Sequence, residues 1–307
     1  MGDGLRMRLQ ILGCYAATPR FLAPPSGQVL EAGKHLVLID CGEGTQMQLR
    51  RFKVRFSRIQ HIFISHLHGD HFFGLPGLIA TFRLLGREKP LHIYGPVGIQ
   101  KAITLMLKIG DSWTDFPLHF HELSAPNSEL IFQDATFSVR TLPLDHRIYT
   151  NGFLFTLSGG ERRLIPEAVE KYGIDKAYYR KIKQGEDAID SSGALISNAL
   201  LTEAPRPPKR YAYCSDTAFQ PALAPLIKGV DVLYHESTFL AQEAALAEKT
   251  KHSTAGEAGQ MARMAEVGRL VLGHYSTRYK DLEVFRKEAL EYFPRVALAE
   301  EGAVIQW

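Results

Sequence analysis

Cysteine is scarce in this chain. The three present, Cys14, Cys41 and Cys214, are far apart and form no CxxC pair. That argues against a disulfide framework and fits a reducing cytoplasm. No apolar run approaches the roughly 18 residues that mark a transmembrane helix, so no helical span is expected. The first residues lead straight into a strand-like run, so no signal peptide is read there. Charge of one sign is also missing: 36 basic and 33 acidic residues leave a net +3. So weak a balance neither requires nor excludes a nucleic-acid partner, and a local basic patch must decide. No internal period marks a repeat solenoid. With 45% hydrophobic and 22% charged residues, disorder and fibre are excluded. A chain of 307 residues can bury a full core without staples.

What is present is a series of short apolar runs that each end on a histidine or an acid. They are His35-Leu-Val-Leu-Ile-Asp40, His61-Ile-Phe-Ile-Ser-His66, Arg140-Thr-Leu-Pro-Leu-Asp-His146, Tyr211-Ala-Tyr-Cys-Ser-Asp216, Val230-Asp-Val-Leu-Tyr-His-Glu236 and Arg269-Leu-Val-Leu-Gly-His274. Each reads as a buried strand. Helical patterns over residues 74–85, 97–109, 253–267 and 281–292 lie between some of them. Strands alternating with helices predict a layered α/β (α+β) architecture, with ligand-type side chains lining one sheet edge or two adjacent ones.

The stretch from about 153 to 201 breaks this rhythm. It is polar, and it carries Gly159-Gly160, a short helical pattern over 166–172 and Ser191-Ser192-Gly193. It reads as an arm inserted into a single domain spanning 1–307, because His146 before it and Asp216 after it belong to one site. Within it Lys176, Arg180, Lys181 and Lys183 fall in eight residues without an acid, with Tyr178 and Tyr179 among them. Such a run is either a solvated helix face or a phosphate-contacting surface.

The densest chemistry is Ser65-His66-Leu-His68-Gly-Asp70-His71. Imidazole plus carboxylate is the common ligand set for zinc. Four such groups on a short loop, where Gly69 frees the backbone, serve two ions about 3.5–4 Å apart more easily than one. His146, Asp216 and His274 are the natural candidates to complete two sites, with Asp216 able to bridge. His119 and His121, on either side of Phe120, read as a solvated strand face, and His35, His61 and His92 read in the same way.

These strings carry a resemblance. HxHxDH followed by distant His, Asp and His is similar to the metallo-β-lactamase superfamily. Asp40-Cys-Gly-Glu-Gly-Thr-Gln46, Ser215-Asp-Thr217, His235-Glu-Ser-Thr238, His252-Ser-Thr254 and Gly273-His-Tyr-Ser-Thr-Arg-Tyr279 resemble the ribonuclease Z family over nearly the whole chain. The resemblance implies a four-layer αββα sandwich and two zinc ions. His66, His68 and His146 would hold one ion; Asp70, His71 and His274 would hold the other; and Asp216 would bridge them. It implies a cytoplasmic, homodimeric, zinc-dependent endoribonuclease that removes the 3′ trailer from pre-tRNA, with no membrane partner. The alternative is a hydrolase on the same scaffold with a small substrate. Members of the family often carry a Lys-x-Arg-Asn-type stretch that senses the mature CCA end, where this chain has Thr18-Pro-Arg-Phe-Leu-Ala-Pro-Pro25. They also often have a Gly-Pro-rich turn in the arm, where this chain reads Gly173-Ile-Asp-Lys-Ala-Tyr-Tyr-Arg180.

In the chemistry so implied, Asp70 orients or deprotonates the attacking water. His235 is the expected proton donor to the leaving oxygen, with Glu236 fixing its tautomer. His252 and Thr254 stand before a helix. Either they bind a substrate phosphate at its N-terminus, or the segment is a plain cap. The arm residues Lys176, Arg180, Lys181 and Lys183 would grip the tRNA.

Overall fold

The computed structural model describes residues 5–18 and 23–307. Pro19, Arg20, Phe21 and Leu22, within the stretch that departs from the CCA-sensing pattern, lie outside the described residues. In chain order the strands are β1 (Met7–Gly13), β2 (Gly27–Ala32), β3 (His35–Cys41), β4 (His61–Phe63), β5 (Leu91–Pro96), β6 (Leu118–Leu123), β7 (Leu130–Gln133), β8 (Phe137–Leu144) and β9 (Thr150–Leu157). They continue as β10 (Arg163–Leu164), β11 (Ala188–Ile189), β12 (Leu195–Ile196), β13 (Thr202–Glu203), β14 (Lys209–Cys214), β15 (Val232–Glu236), β16 (Arg269–Gly273), β17 (Val296–Leu298) and β18 (Val304–Gln306). Two seven-stranded sheets result, ordered β18-β1-β2-β3-β4-β5-β6 and β17-β16-β15-β14-β9-β8-β7.

The central strands are parallel and apolar on both faces, as sheets covered on both sides require. Along β3, Val37 and Ile39 face the other sheet, while Leu36 and Leu38 face the helices outside. Helices Leu75–Leu84 and Ile99–Ile109 cover the first sheet through Leu78, Ile79, Phe82 and Ile103. Helices Ala255–Met264 and Glu283–Leu290 cover the second through Ala258, Met261, Phe285 and Ala289. Helix, sheet, sheet, helix is the four-layer order the resemblance implied. Each large apolar side chain taken from water in these layers contributes about 1.5–3 kcal/mol.

Topology sets where the chemistry lies. Strands β3, β4, β14, β15 and β16 all end at the same edge of the sandwich. The two sheets meet there through the Asn151 N–H on Ser65 O (3.0 Å) and the Tyr213 hydroxyl on an Asp40 carboxylate oxygen (2.6 Å). Strand β9 starts at that edge and runs away from it, so the chain leaves the sandwich at the far end. There, between β9 and β14, β10 pairs with β13 and β11 with β12. Short helices at Pro166–Lys171, Tyr179–Lys183 and Asn198–Leu201 close over a small core of Val169, Ile174, Ile182, Ala188 and Leu201. The Asn198 amide ties this unit together by donating to the Ile182 and Glu186 carbonyls, each at 2.7 Å.

Candidate metal centre

The expected ligands converge at the shared edge in two groups. His66, His68, His146 and Asp216 form one; Asp70, His71 and His274 form the other. In the first, His66 Nε2 lies 3.0 Å from His68 Nδ1, and His146 Nε2 lies 3.3 Å from that same atom. In the second, Asp70 Oδ2 is 3.3 Å from His71 Nε2 and 3.5 Å from His274 Nε2. Ligand atoms about 3.3 Å apart are what tetrahedral bonds of 2.0–2.1 Å to one ion require. Asp216 divides its oxygens between the groups. Oδ2 is 3.6 Å from His66 Nε2 and 3.8 Å from His146 Nε2, while Oδ1 is 3.4 Å from His71 Nε2 and 3.2 Å from His274 Nε2.

Hydrogen bonds behind the rings decide which nitrogen carries the proton. His146 Nδ1–H donates to the Lys251 carbonyl at 2.9 Å. His71 Nδ1–H donates to Asp40 Oδ2 at 2.8 Å, so its buried Nε2 presents a lone pair and has no hydrogen-bond partner. Thr238 Oγ1–H donates to Glu236 Oε2 at 2.6 Å and accepts from His274 Nδ1–H at 2.9 Å. Lone pairs of Nε2 atoms therefore face carboxylate oxygens across the site. Such facing groups need positive charge between them. Without an ion, burial would lower the His71 pKa, but Asp216, Asp70 and Asp40 raise it and keep a proton on its ring, and the same donor set fits metal ions. Burial alone would raise the Asp216 carboxyl, but the imidazoles of His274, His71 and His66 outweigh it and hold it well below the usual carboxylate range. Asp70 is also held far down, against its burial, by His71 and His274.

Asp70 and His71 lie on a short helical turn, Gly69–Phe72, where the sequence suggested a free loop. Gly69 serves there because a Cβ would sit 2.3 Å from the Phe73 ring, not because the turn needs a left-handed backbone. Two other site residues do carry that strain: Asp40 at φ 53° and His274 at φ 58° turn the chain at strand ends. Such conformations cost about 1–3 kcal/mol each and gather at functional sites.

The structure corrects the proton-donor assignment. Along β15, His235 and Glu236 point to opposite faces. His235 is fully buried; its Nδ1–H donates to the Glu236 carbonyl at 2.7 Å and its Nε2 has no partner. Burial pushes its pKa down, so it is neutral and out of reach of the cleft. Glu236 instead takes His252, with Oε1 at 2.7 Å from Nδ1, and it also accepts the Thr217 and Thr238 N–H groups at 2.9 and 3.0 Å. Burial lowers the His252 pKa, but Glu236 outweighs it and raises the ring to about 9. The ring that Glu236 presents to the cleft is therefore His252, not His235.

The phosphate reading of the following helix is overturned as well. Thr254 is the N-cap of a capping box: the Glu257 N–H donates to its Oγ1, and its own N–H donates to Glu257 Oε2. The Ala255 N–H goes to the Phe239 carbonyl and the Gly256 N–H to Glu288. No N–H of this first turn is left for an anion, and Thr254 is not a substrate contact. His252 does line an open cleft of about 690 Å³ with His68, Asp70, Asp216 and His274, and Phe73, Arg147 and Arg278 stand at its walls. His35, His61, His92, His119 and His121 stay outside the cluster, in a row across β3 to β6. Lys176, Arg180, Lys181 and Lys183 are exposed in the small unit beyond β9, and none pairs with a carboxylate among the described residues.

A family model described as the anti-Pycsar protein Apyc1 matches residues 7–112, which include His66 to His71 but stop short of His146. The ribonuclease Z of Parabacteroides distasonis is 45% identical over 294 residues, covering 96% of this chain and 97% of the relative. That of Porphyromonas gingivalis is 45% identical over 293 residues, covering 95% and 96%. The chain belongs to the ribonuclease Z family. The crystal structure of human tRNase Z, short form, aligns at a TM-score of 0.71 with 28% identity, over 97% of this chain and 98% of that one. The metallo-beta-lactamase fold protein YhfI from Bacillus subtilis shares the fold at a TM-score of 0.70 with 19% identity, over 99% and 100%.

In this ribonuclease Z family member the supporting groups escaped the sequence reading more than the ligands did. Asp40 receives the Ser65 N–H, the Ser65 and Tyr213 hydroxyls and His71 Nδ1–H, and is fully buried. It orients His71 from behind. The signal for it was present: an acid ending an apolar strand, in the same pattern as Asp216.

Proposed function

We propose that this chain is a zinc-dependent endoribonuclease that removes the 3′ trailer from pre-tRNA, leaving a 3′-hydroxyl on the tRNA and a 5′-phosphate on the trailer. The observation that carries the reading is Asp216 shared between two ligand groups beside a charged His252, in a chain of the ribonuclease Z family. His66, His68 and His146 would hold one ion and Asp70, His71 and His274 the other, with Asp216 available to both. When bound, such ions lower the pKa of water toward about 7 and offset phosphate charge. Asp70, fixed by the Ala17 N–H at 2.9 Å, orients the attacking water opposite the leaving 3′-oxygen. His252 gives that oxygen its proton. Glu236 keeps the ring charged and turns Nε2 toward the cleft.

The arm helps to identify the substrate. Strand β9 spans eight residues, about 25 Å at 3.3 Å per residue, and the arm leaves from its far end. A grip so far from its own cleft suits a long polyanion. It also suits a homodimer in which one subunit's arm holds RNA cut by the other. Buried, unpaired cysteines fit a cytoplasmic setting, and among the described residues no helix is long and apolar enough to cross a membrane. Reversing charge at Lys181 and Lys183 together raises KM for pre-tRNA roughly tenfold at moderate salt, through lost phosphate contacts. Turnover of bis(p-nitrophenyl) phosphate stays unchanged. Equal losses on both substrates would make the arm purely structural and favour a small-substrate hydrolase.

A further inference from the structure

A second cleft, of about 860 Å³, opens at the far end of the sandwich where the arm is rooted. Five cations line it: Arg6 and Arg8 at β1, Lys34 at the β2–β3 turn, and Arg163 and Arg206 on the outgoing and returning chains of the arm. Its two acids are Glu31 and Glu161, and Glu31 is already paired with Arg58 at 2.9 Å. Lys34 pairs with Asp134 and Arg163 with Glu203, at 2.9 and 2.6 Å. Arg6 and Arg206 are exposed, and neither side chain has a partner among the described residues. The root itself is closely built: a Cβ on Gly159 would sit 1.7 Å from the Arg206 carbonyl, so only glycine lets the two arm strands cross there. That crossing holds Arg206 in place at the cleft.

The basic helix of the arm is tied to the chain that lines the cleft. The Arg162 N–H donates to the Lys183 carbonyl at 3.2 Å, which sets the end of helix Tyr179–Lys183 beside Arg163 of the cleft lining. We infer that this root cleft is a second RNA-binding surface, which takes the phosphate backbone of a tRNA whose body rests on the arm. The inference rests on the proposed function for its substrate. It adds a contact that neither the cleavage site nor the arm tip supplies. Backbone contacts of this kind position RNA without reading its sequence, and each one appears in the salt dependence of binding.

The test is a fluorescence-anisotropy titration of labelled mature-length tRNA against the metal-loaded protein, with Arg6→Glu/Arg206→Glu beside the parent and Lys228→Glu as a control on another surface. The double variant is expected to bind about tenfold more weakly at moderate salt, with a log–log salt slope shallower by about 1–2. Its circular dichroism and its turnover of bis(p-nitrophenyl) phosphate stay unchanged, and Lys228→Glu binds as the parent does. A double variant that binds with the parent's affinity and slope overturns the inference, as does a parent with no salt-dependent tRNA binding. Cleavage of pre-tRNA, run in parallel, reads the other proposal separately. A parent that binds through this cleft but leaves the trailer uncut would contradict the processing activity and leave the RNA surface standing.

Discussion

Replacing His252 with alanine is expected to lower kcat for pre-tRNA cleavage by about 10²–10⁴-fold, the usual worth of a positioned general acid. The RNA 3′-oxygen is a poor leaving group without a proton, and no other charged ring stands free of the two ligand groups. The Glu236 contact at 2.7 Å holds His252 protonated at neutral pH. The sign of the pH effect follows. The ring must carry its proton to act, so kcat falls as pH rises through its pKa. That alkaline limb lies no higher than about 9, because cations beside the ring favour its neutral form. His252→Ala removes the limb and keeps the bound metal. Because His252 also lies within ligand reach of Asp216 and His274, metal content must be read with the rate. A variant that loses metal in proportion to activity would make His252 a ligand. His235→Ala is the contrast: it empties a buried site and lowers Tm, but the folded enzyme turns over as before.

The second large effect belongs to Asp216. Asp216→Ala is expected to bring turnover to background and to reduce bound metal from two ions per chain to one or fewer, measured by elemental analysis of the purified protein. Its two oxygens face one ligand set each, and it is almost fully buried. Without it, His66 and His146 lose their carboxylate, and His71 and His274 keep only Asp70. Two ions retained at full occupancy would show that the sets are held independently and that Asp216 bridges nothing.

The clustering of the candidate ligands was legible because they are local or punctuated. HxHxDH is dense enough to stand alone, and His146, Asp216 and His274 each end an apolar run. The layered fold was legible for a related reason, since runs apolar on both faces must be covered on both sides. The donor was misassigned because adjacency in sequence was taken for adjacency in space. Alternation along a strand turns residues 235 and 236 apart, so the partner of Glu236 had to come from another element. Only the fold brings the loop carrying His252 across β15. The helix N-terminus was ambiguous for a different reason. Its fourth acceptor, Glu288, lies on the next helix, 32 positions from Gly256, and nothing nearby announces it. The run read as one strand from His61 to His66 pairs only to Phe63, because the Ser65 N–H turns to the Asp40 carboxylate.

The most direct measurement is cleavage of a pre-tRNA bearing a 3′ trailer, with and without chelator, followed by mapping of both product ends. The account requires one cut near the discriminator base, a 3′-hydroxyl on the tRNA, a 5′-phosphate on the trailer, and loss of cleavage on metal removal that zinc restores. An intact pre-tRNA in the presence of metal-loaded protein that still hydrolyses a small phosphodiester would contradict it.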